Sequence, residues 1–323
     1  MKAFAYTRPE SIGDAIGMMN AETRPLAGGT DLLTLMKEGI AAPEGLLDIK
    51  RLPDLSADIA LDGDRITIGA LATLSDIEKS DVITHHLPAL AKAASVAASP
   101  QLRNMATIGG NILQRPRCWY FRNHDVPCWL KGGERCFARG GENQHHALVD
   151  ISSCVAVHPS DLAPVLVAYG AQVQIQDHEG YGEIAISDFF RAPEEGRRVE
   201  HVLPEDAVIT GLRIPAPSAD VRGTYLKAMD RKAWAFALAS VAVMLEMRGG
   251  VVADSRIVLG GVAPLPYRAT EAEHMLLGAT LDEALVQEAA KAAVSKLAPL
   301  AHNGYKIPLL VGLIKTALEE VSA

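Results

Sequence analysis

PLAGGTDLLTLMKEG, residues 25–39, decides how the first part of this chain folds. An apolar run ends at Leu26, two glycines follow, and an amphipathic stretch opens at Leu32. That order predicts strand, turn and helix. Gly28 and Gly29 allow a tight turn and let main-chain amides approach a ligand with no Cβ in the way. Amides so placed suit a diphosphate; a plain strand–helix turn would use the same residues. The spacing is not GxGxxG, so the rule for parallel dinucleotide-binding units does not apply.

On either side of this stretch, SIGDAIGMMN predicts a helix capped at Ser11, and LLDIK predicts a strand. Residues 1–56 therefore form a small α/β unit. RITIGALATLSDIEKS predicts a strand and a helix capped at Ser75, and HHLPALAKAASVAAS a helix whose small residues let it pack closely on a sheet. A second Gly-Gly pair follows in ATIGGNIL, residues 106–113. Two such turns can enclose a diphosphate from two sides, or serve only as structural turns. In HPSDLAP, residues 158–164, Pro159 suits the first position of a helix and Asp161 its first turn. Asp161 either starts a helix or accepts a hydrogen bond from a ligand.

VITGLRIPAP predicts a strand ending in a proline-rich link, the best candidate for a domain boundary. Beyond it, GTYLKAMD and RIVLGGVA predict strands. AFALASVAVMLEMR, LDEALVQEAAKAAVSKL and IPLLVGLIKTALEEVS predict helices, with Trp234 opening the first. Lys227 falls on a strand, where a cation can stabilise a reduced anionic ring or simply pair with a carboxylate.

The four cysteines Cys118, Cys128, Cys136 and Cys154 all fall within 37 of the 323 residues. Their gaps of ten, eight and eighteen include no CxxC, so the spacing is weakly specific. The grouping is more informative. Three of them lie in RPRCWYFRNHDVPCWLKGGERCFARGGENQHH, which has neither helical nor strand period. So long an irregular stretch inside a compact unit calls for something that orders it. Four thiolates meet the demand of a [4Fe–4S] cluster or of a four-cysteine zinc site, and Arg115, Arg117 and Arg135 could offset the charge. His124, His145 and His146 are spare ligands. Alternatively, Cys154 is a core cysteine and the rest are incidental.

The bulk numbers exclude several classes. At 323 residues and 49% hydrophobic, the chain exceeds one compact unit and predicts two or three lobes. A net charge of -8 argues against a nucleic-acid partner. No apolar run approaches the ~20 residues of a membrane span. MKAFAYTRPESIGDA lacks the apolar core of a signal peptide, so the expected compartment is the cytoplasm, with export on a signal-bearing partner as the alternative.

LAGGTDLL, ATIGGN, HPSDLAP and RIVLGGVAPLPYRA occur here in the order found in the FAD-binding medium subunits of the xanthine dehydrogenase (molybdenum hydroxylase) family, which the chain resembles along nearly its whole length. The insertion between ATIGGN and HPSD further resembles the flavin subunits of periplasmic aldehyde oxidoreductase and of 4-hydroxybenzoyl-CoA reductase, which carry an extra [4Fe–4S] cluster. QLRN, NILQRPRC and AFAL favour the aldehyde oxidoreductase type.

The resemblance implies an α+β fold. Residues 1–215 would form a two-lobed FAD-binding domain of the vanillyl-alcohol oxidase (PCMH) type, with lobes 1–56 and 57–215 and insertion 114–154. Residues 220–323 would form a smaller α+β domain of the CO dehydrogenase flavoprotein C-terminal type, a three-stranded sheet plus helices. It also implies the site. Leu26, Ala27, Gly28, Gly29, Thr30, Asp31, Leu32 and Leu33, with Thr107, Gly109, Gly110, Asn111 and Gln114, would cradle the FAD diphosphate and ribityl. Asp161 would bind further along the cofactor and Lys227 near the ring. Cys118, Cys128, Cys136 and Cys154 would hold the cluster. The implied partners are a large molybdopterin-binding subunit, a small [2Fe–2S] subunit and a small-molecule electron acceptor. A stand-alone flavin oxidoreductase and a zinc-stapled structural subunit are the competing readings.

Overall fold

The structure, a computed structural model, describes residues 1–322. Three sheets follow one another along the chain. The first holds β1 (Ala5–Thr7), β2 (Thr23–Leu26) and β3 (Gly45–Asp48), all parallel, in the order β1-β3-β2. Parallel neighbours need crossovers, and helices Ile12–Met18 and Leu32–Lys37 supply them. Ser11 caps the first by accepting the Asp14 N–H at 3.0 Å, as its sequence predicts.

The second sheet is antiparallel and five-stranded: β4 (Ile59–Asp62), β5 (Arg65–Gly69), β6 (Gln172–Asp177), β7 (Gly180–Ala185) and β8 (Val208–Pro215), in the order β4-β5-β8-β6-β7. Helices Leu74–Lys79, Pro88–Val96 and Leu162–Ala168 share its core. The cap of Leu74–Lys79 is Thr73 rather than Ser75. Thr73 and Asp76 satisfy each other's amides in a capping box, while Ser75 is buried inside the first turn.

The third sheet contains β9 (Val221–Ala228), β10 (Ala239–Arg248), β11 (Val251–Gly260) and the two-residue edge β12 (Tyr267–Arg268), in the order β12-β11-β10-β9. Three long strands match the expected sheet. AFALASVAVMLEMR is not the predicted helix, however, because it contains β10. Val241, Val243 and Leu245 pack toward the C-terminal helices Glu283–Ala293 and Lys306–Ser322. Ala242 and Met244 join the core of the five-stranded lobe instead. A strand buried on both faces loses its alternation and reads as one apolar run. Trp234 opens no helix either. It sits at φ 53° in the bend before β10, 62% exposed. Among the described residues no helix is long and apolar enough to cross a membrane.

The cysteine-bearing insertion stays irregular, with one helical turn (Trp119–Arg122) and two 3-10 turns (Trp129–Lys131 and Phe137–Arg139). The C-terminal end of the chain clasps it. Buried Asn303 donates to the carbonyls of His146 and Ala147, and buried Asn143 accepts the His302 N–H at 2.9 Å. The fully buried Lys306 ammonium donates to His146 O at 3.1 Å and Gly261 O at 2.8 Å. Burial alone pushes its pKa down to about 7. The GGVAP segment completes the seam: Val262 O accepts the Leu148 N–H and Ala263 O the His158 N–H.

Two predictions follow from the packing. Leu245→Ala lowers the unfolding free energy by about 3 kcal/mol, read as a lower urea midpoint at unchanged slope. The second concerns His158, which is buried and whose ring bonds the Ile112 carbonyl. Burial depresses its pKa to about 3. An unfolded chain takes up this proton near pH 6.5, whereas the folded one refuses it until near pH 3, so stability present above pH 6.5 is lost on acidification through that window. Stability against pH should fall less steeply there for His158→Gln.

Candidate functional site

The two Gly-Gly segments meet along one cleft of about 830 Å3 between the first and second lobes. Gly28 makes this meeting possible. A Cβ there would lie 1.8 Å from the Met105 carbonyl oxygen, so the first loop can cross the 105–106 backbone only without a side chain. Gly29 turns with φ +70°. The second pair is not a turn but lies inside the short helix Ile108–Ile112. Thr107 caps it by accepting the Gly110 N–H at 3.2 Å.

Leu26, Ala27, Gly28, Gly29, Thr30, Asp31 and Leu32 line the cleft, as do Thr107, Gly109, Gly110, Asn111, Gln114 and Asp161. Leu33 does not; its side chain packs beside Gly29 and against the Leu26, Met36 and Leu46 core. Lys227 stands one layer back. Its ammonium, 1% exposed, donates to Asp161 Oδ2 at 2.8 Å and to the Val96 carbonyl. Tyr225 Oη donates to Asp161 Oδ1 at 2.7 Å. Both Asp161 oxygens thus have a partner within the chain. Burial raises the Asp161 pKa, and Lys227 opposes that shift. Asp161 is the N-cap of helix Leu162–Ala168, one position before the predicted first turn.

Asp31 joins the cleft to the insertion. Its carboxylate accepts the Arg115 N–H at 2.8 Å, Arg122 Nη2–H at 2.7 Å and an Arg117 guanidinium N–H. Arg122 also faces Glu38 at 3.6 Å, and Arg115 faces buried Glu200 at 3.0 Å. Three guanidinium groups therefore balance three carboxylates. Arg115 and Arg117 do not attend the cysteines, as their proximity in sequence suggests; both line the cleft. Arg135 stacks on Phe137, 4.7 Å from its centroid. Composition marked these arginines as cationic but could not identify their partners. His201, Trp234 and Phe236 also line the cleft. The sequence marks Trp234 as an indole that could shield a flavin ring or serve as a core aromatic, and the cleft wall is where it stands; His201 and Phe236 carry no motif.

Cys118, Cys128, Cys136 and Cys154 line one small cavity of about 10 Å3, together with Tyr120, Phe121, Trp129, Leu130 and Phe137. The Ala156 N–H donates to Cys154 Sγ at 3.4 Å, and main-chain amides of Tyr120 and Phe121 near Cys118 and of Val155, Ala138 and Arg139 near Cys136 favour the thiolate form. The neighbouring Cys154 thiol holds Cys136 below the usual thiol range, and Cys136 and burial push Cys154 up. Burial pushes the Cys118 thiol up to about 11. Of the three spare histidines, only His146 reaches a cysteine, with Nε2 3.1 Å from Cys118 Sγ. His124 bonds the Gly39 carbonyl, and His145 packs on Trp119. Among the described residues no group of three or more His, Cys, Asp or Glu side chains is placed to hold a metal ion. One apolar cluster lies between the cavity and the cleft: Leu35, Ile40 and Ala41 line the cleft and pack with Cys128 and Cys154.

The FAD binding domain in molybdopterin dehydrogenase matches residues 2–217, and the CO dehydrogenase flavoprotein C-terminal domain matches residues 224–321. The chain is similar to the aldehyde oxidoreductase FAD-binding subunit PaoB of Escherichia coli (strain K12), 34% identical over 100% of this chain and 99% of that one. It is also similar to the carbon monoxide dehydrogenase medium chain of Hydrogenophaga pseudoflava, 30% identical over 98% and 96% of the two chains. A solved structure of carbon monoxide dehydrogenase from Hydrogenophaga pseudoflava superposes with a TM-score of 0.79 at 29% identity, covering 99% of this chain and 97% of that chain. The two matches together span both halves of the fold, and the chain belongs to the FAD-binding medium subunits of the xanthine dehydrogenase (molybdenum hydroxylase) family.

Proposed function

We propose that this chain holds FAD along the cleft as the electron-transfer subunit of a heterotrimeric molybdenum hydroxylase of the aldehyde oxidoreductase type. Support comes from one observation above all: two glycine segments far apart in sequence face a single large cleft, with Gly28 fitted so closely to the 105–106 backbone that no side chain is tolerated. The chain's place is between molybdenum and [2Fe–2S] centres on a large and a small partner subunit and a small-molecule acceptor. Bound FAD supplies the two-electron redox chemistry. The chain's residues bind and orient it. The glycine segments would hold the diphosphate and ribityl, and Gln114 is held by its own bonds to Asn111 O and Arg117. Lys227 acts through Asp161, whose charge it balances, rather than by touching the ring. Residues 1–215 form the FAD domain and 220–323 the C-terminal domain. The complex works in the cytoplasm unless a partner carries it across a membrane.

We further propose that the four cysteines hold a [4Fe–4S] cluster. Support lies in their shared cavity and the amides near their sulfurs, an arrangement suited to thiolates and sulfide rather than to four idle thiols. The family matches do not bear on this centre. A cubane needs more room than the cavity has, so the contact between Cys136 and Cys154 must open for it. Absorbance showing flavin together with a broad iron–sulfur band supports both assignments, and a colourless zinc protein opposes both.

Gly110 is exposed in the cleft, and a Cβ there meets nothing closer than Thr107 Oγ1 at 3.2 Å. Gly110→Val should therefore fold with little change in Tm and lose most of its FAD; full FAD occupancy would make the segment purely structural. Cys136→Ser should lose iron and acid-labile sulfide and expose the insertion beyond Arg122 to protease, while FAD stays bound because Arg115, Arg117 and Arg122 remain on Asp31. Unchanged iron content would remove Cys136 from the ligand set.

A further inference from the structure

Asn111 lines the cleft, and its Oδ1 lies 2.6 Å from Ser160 Oγ. Ser160 is buried behind it, between Pro159 and Asp161, which do line the cleft. Ser160 Oγ also lies 3.0 Å from the Ala163 main-chain nitrogen, which can only donate. The two ways of closing the Ser160–Asn111 contact are therefore unequal. If Asn111 presents its oxygen, the Ser160 O–H donates to it and every group is used. If Asn111 presented its NH2, Ser160 Oγ would accept twice and its own buried proton would have no acceptor. The oxygen faces Ser160, and the NH2 is turned away from it.

The surrounding segment holds this orientation. The buried His158 ring accepts the Ser160 N–H at 3.4 Å and bonds the Ile112 carbonyl. The HPSD segment is thus tied twice to the helix that carries Asn111, through His158 to its backbone and through Ser160 to the Asn111 side chain.

We propose that Ser160 is a positioning residue for the cofactor: it fixes the Asn111 carboxamide so that the NH2 group is offered to an acceptor oxygen of FAD. Ser160 itself does not touch the cofactor. The proposal rests on the cleft being the FAD site. Asn111 then acts as a pre-oriented donor, and no freedom of its carboxamide is lost when the cofactor enters.

The full chain, in its native assembly, is stripped of FAD and titrated with FAD by flavin fluorescence. Ser160→Ala should weaken FAD binding roughly tenfold. Asn111→Ala should weaken it at least as much, and adding Ser160→Ala to that variant should change nothing further. Asn111→Asp keeps the acceptor for Ser160 but cannot donate, so it should bind FAD no better than Asn111→Ala. Ser160→Thr keeps the hydroxyl and should bind FAD as the unmodified chain does, which separates lost positioning from poor folding of Ser160→Ala. Unchanged affinity in Asn111→Asp, or an equal loss from Ser160→Ala with and without Asn111, overturns the proposal while leaving the FAD site intact. A wild-type chain that takes up no FAD overturns the site and the proposal together.

Discussion

Asp31 is the constraint on which the rest of the site depends. It ends the first glycine segment, and its partners lie 84 to 91 residues further along the chain. Through it the cleft and the cysteine-bearing insertion form one mechanical unit. Its side chain is 15% exposed and those of Arg117 and Arg122 are 26% and 11% exposed, so solvent screens these pairs only partly. Loss of one member of a buried ion network commonly costs about 3 kcal/mol, because the remaining charges stay buried without partners. The balance of three cations with Asp31, Glu38 and Glu200 also bears on function. An unpaired Asp31 would set a negative charge on the wall of the cleft, and the arginines neutralise it.

The same logic of paired burial runs through the cleft. Asp161 is committed to Tyr225 and Lys227, so its charge is settled before any ligand arrives. Gln114 is bonded at both ends of its carboxamide. Side chains fixed in this way give the cleft a rigid wall, and rigidity limits the entropy lost when any ligand binds.

How much of this could be read in the sequence depended on how local each cause was. The Gly28–Gly29 turn, the Ser11 cap and the Leu32–Lys37 helix arise from neighbours within a few residues, and their letters show it. Strand β10 could not be read in the same way. Its burial on two faces is a property of the two lobes it joins, and a run such as ASVAVMLEMR has no period to reveal that. The site divides likewise. Glycines that permit close approach advertise themselves, whereas Arg115 and Arg117 show only that they are charged. Their charge partners lie more than eighty residues away in either direction, Glu200 for Arg115 and Asp31 for Arg117, so nearness in sequence points to the sulfurs instead. The four cysteines were legible as a group, but only folding could show that Cys154 joins the other three.

Asn303 and Lys306 also constrain the order in which the protein can be made. The contacts that hold His146 and Ala147 come from residues synthesised about 160 positions later. Until the segment from Asn303 onward has been added, the carbonyls of His146 and Ala147 lack these donors, so the end of the insertion is tied to the C-terminal helix only in the finished chain.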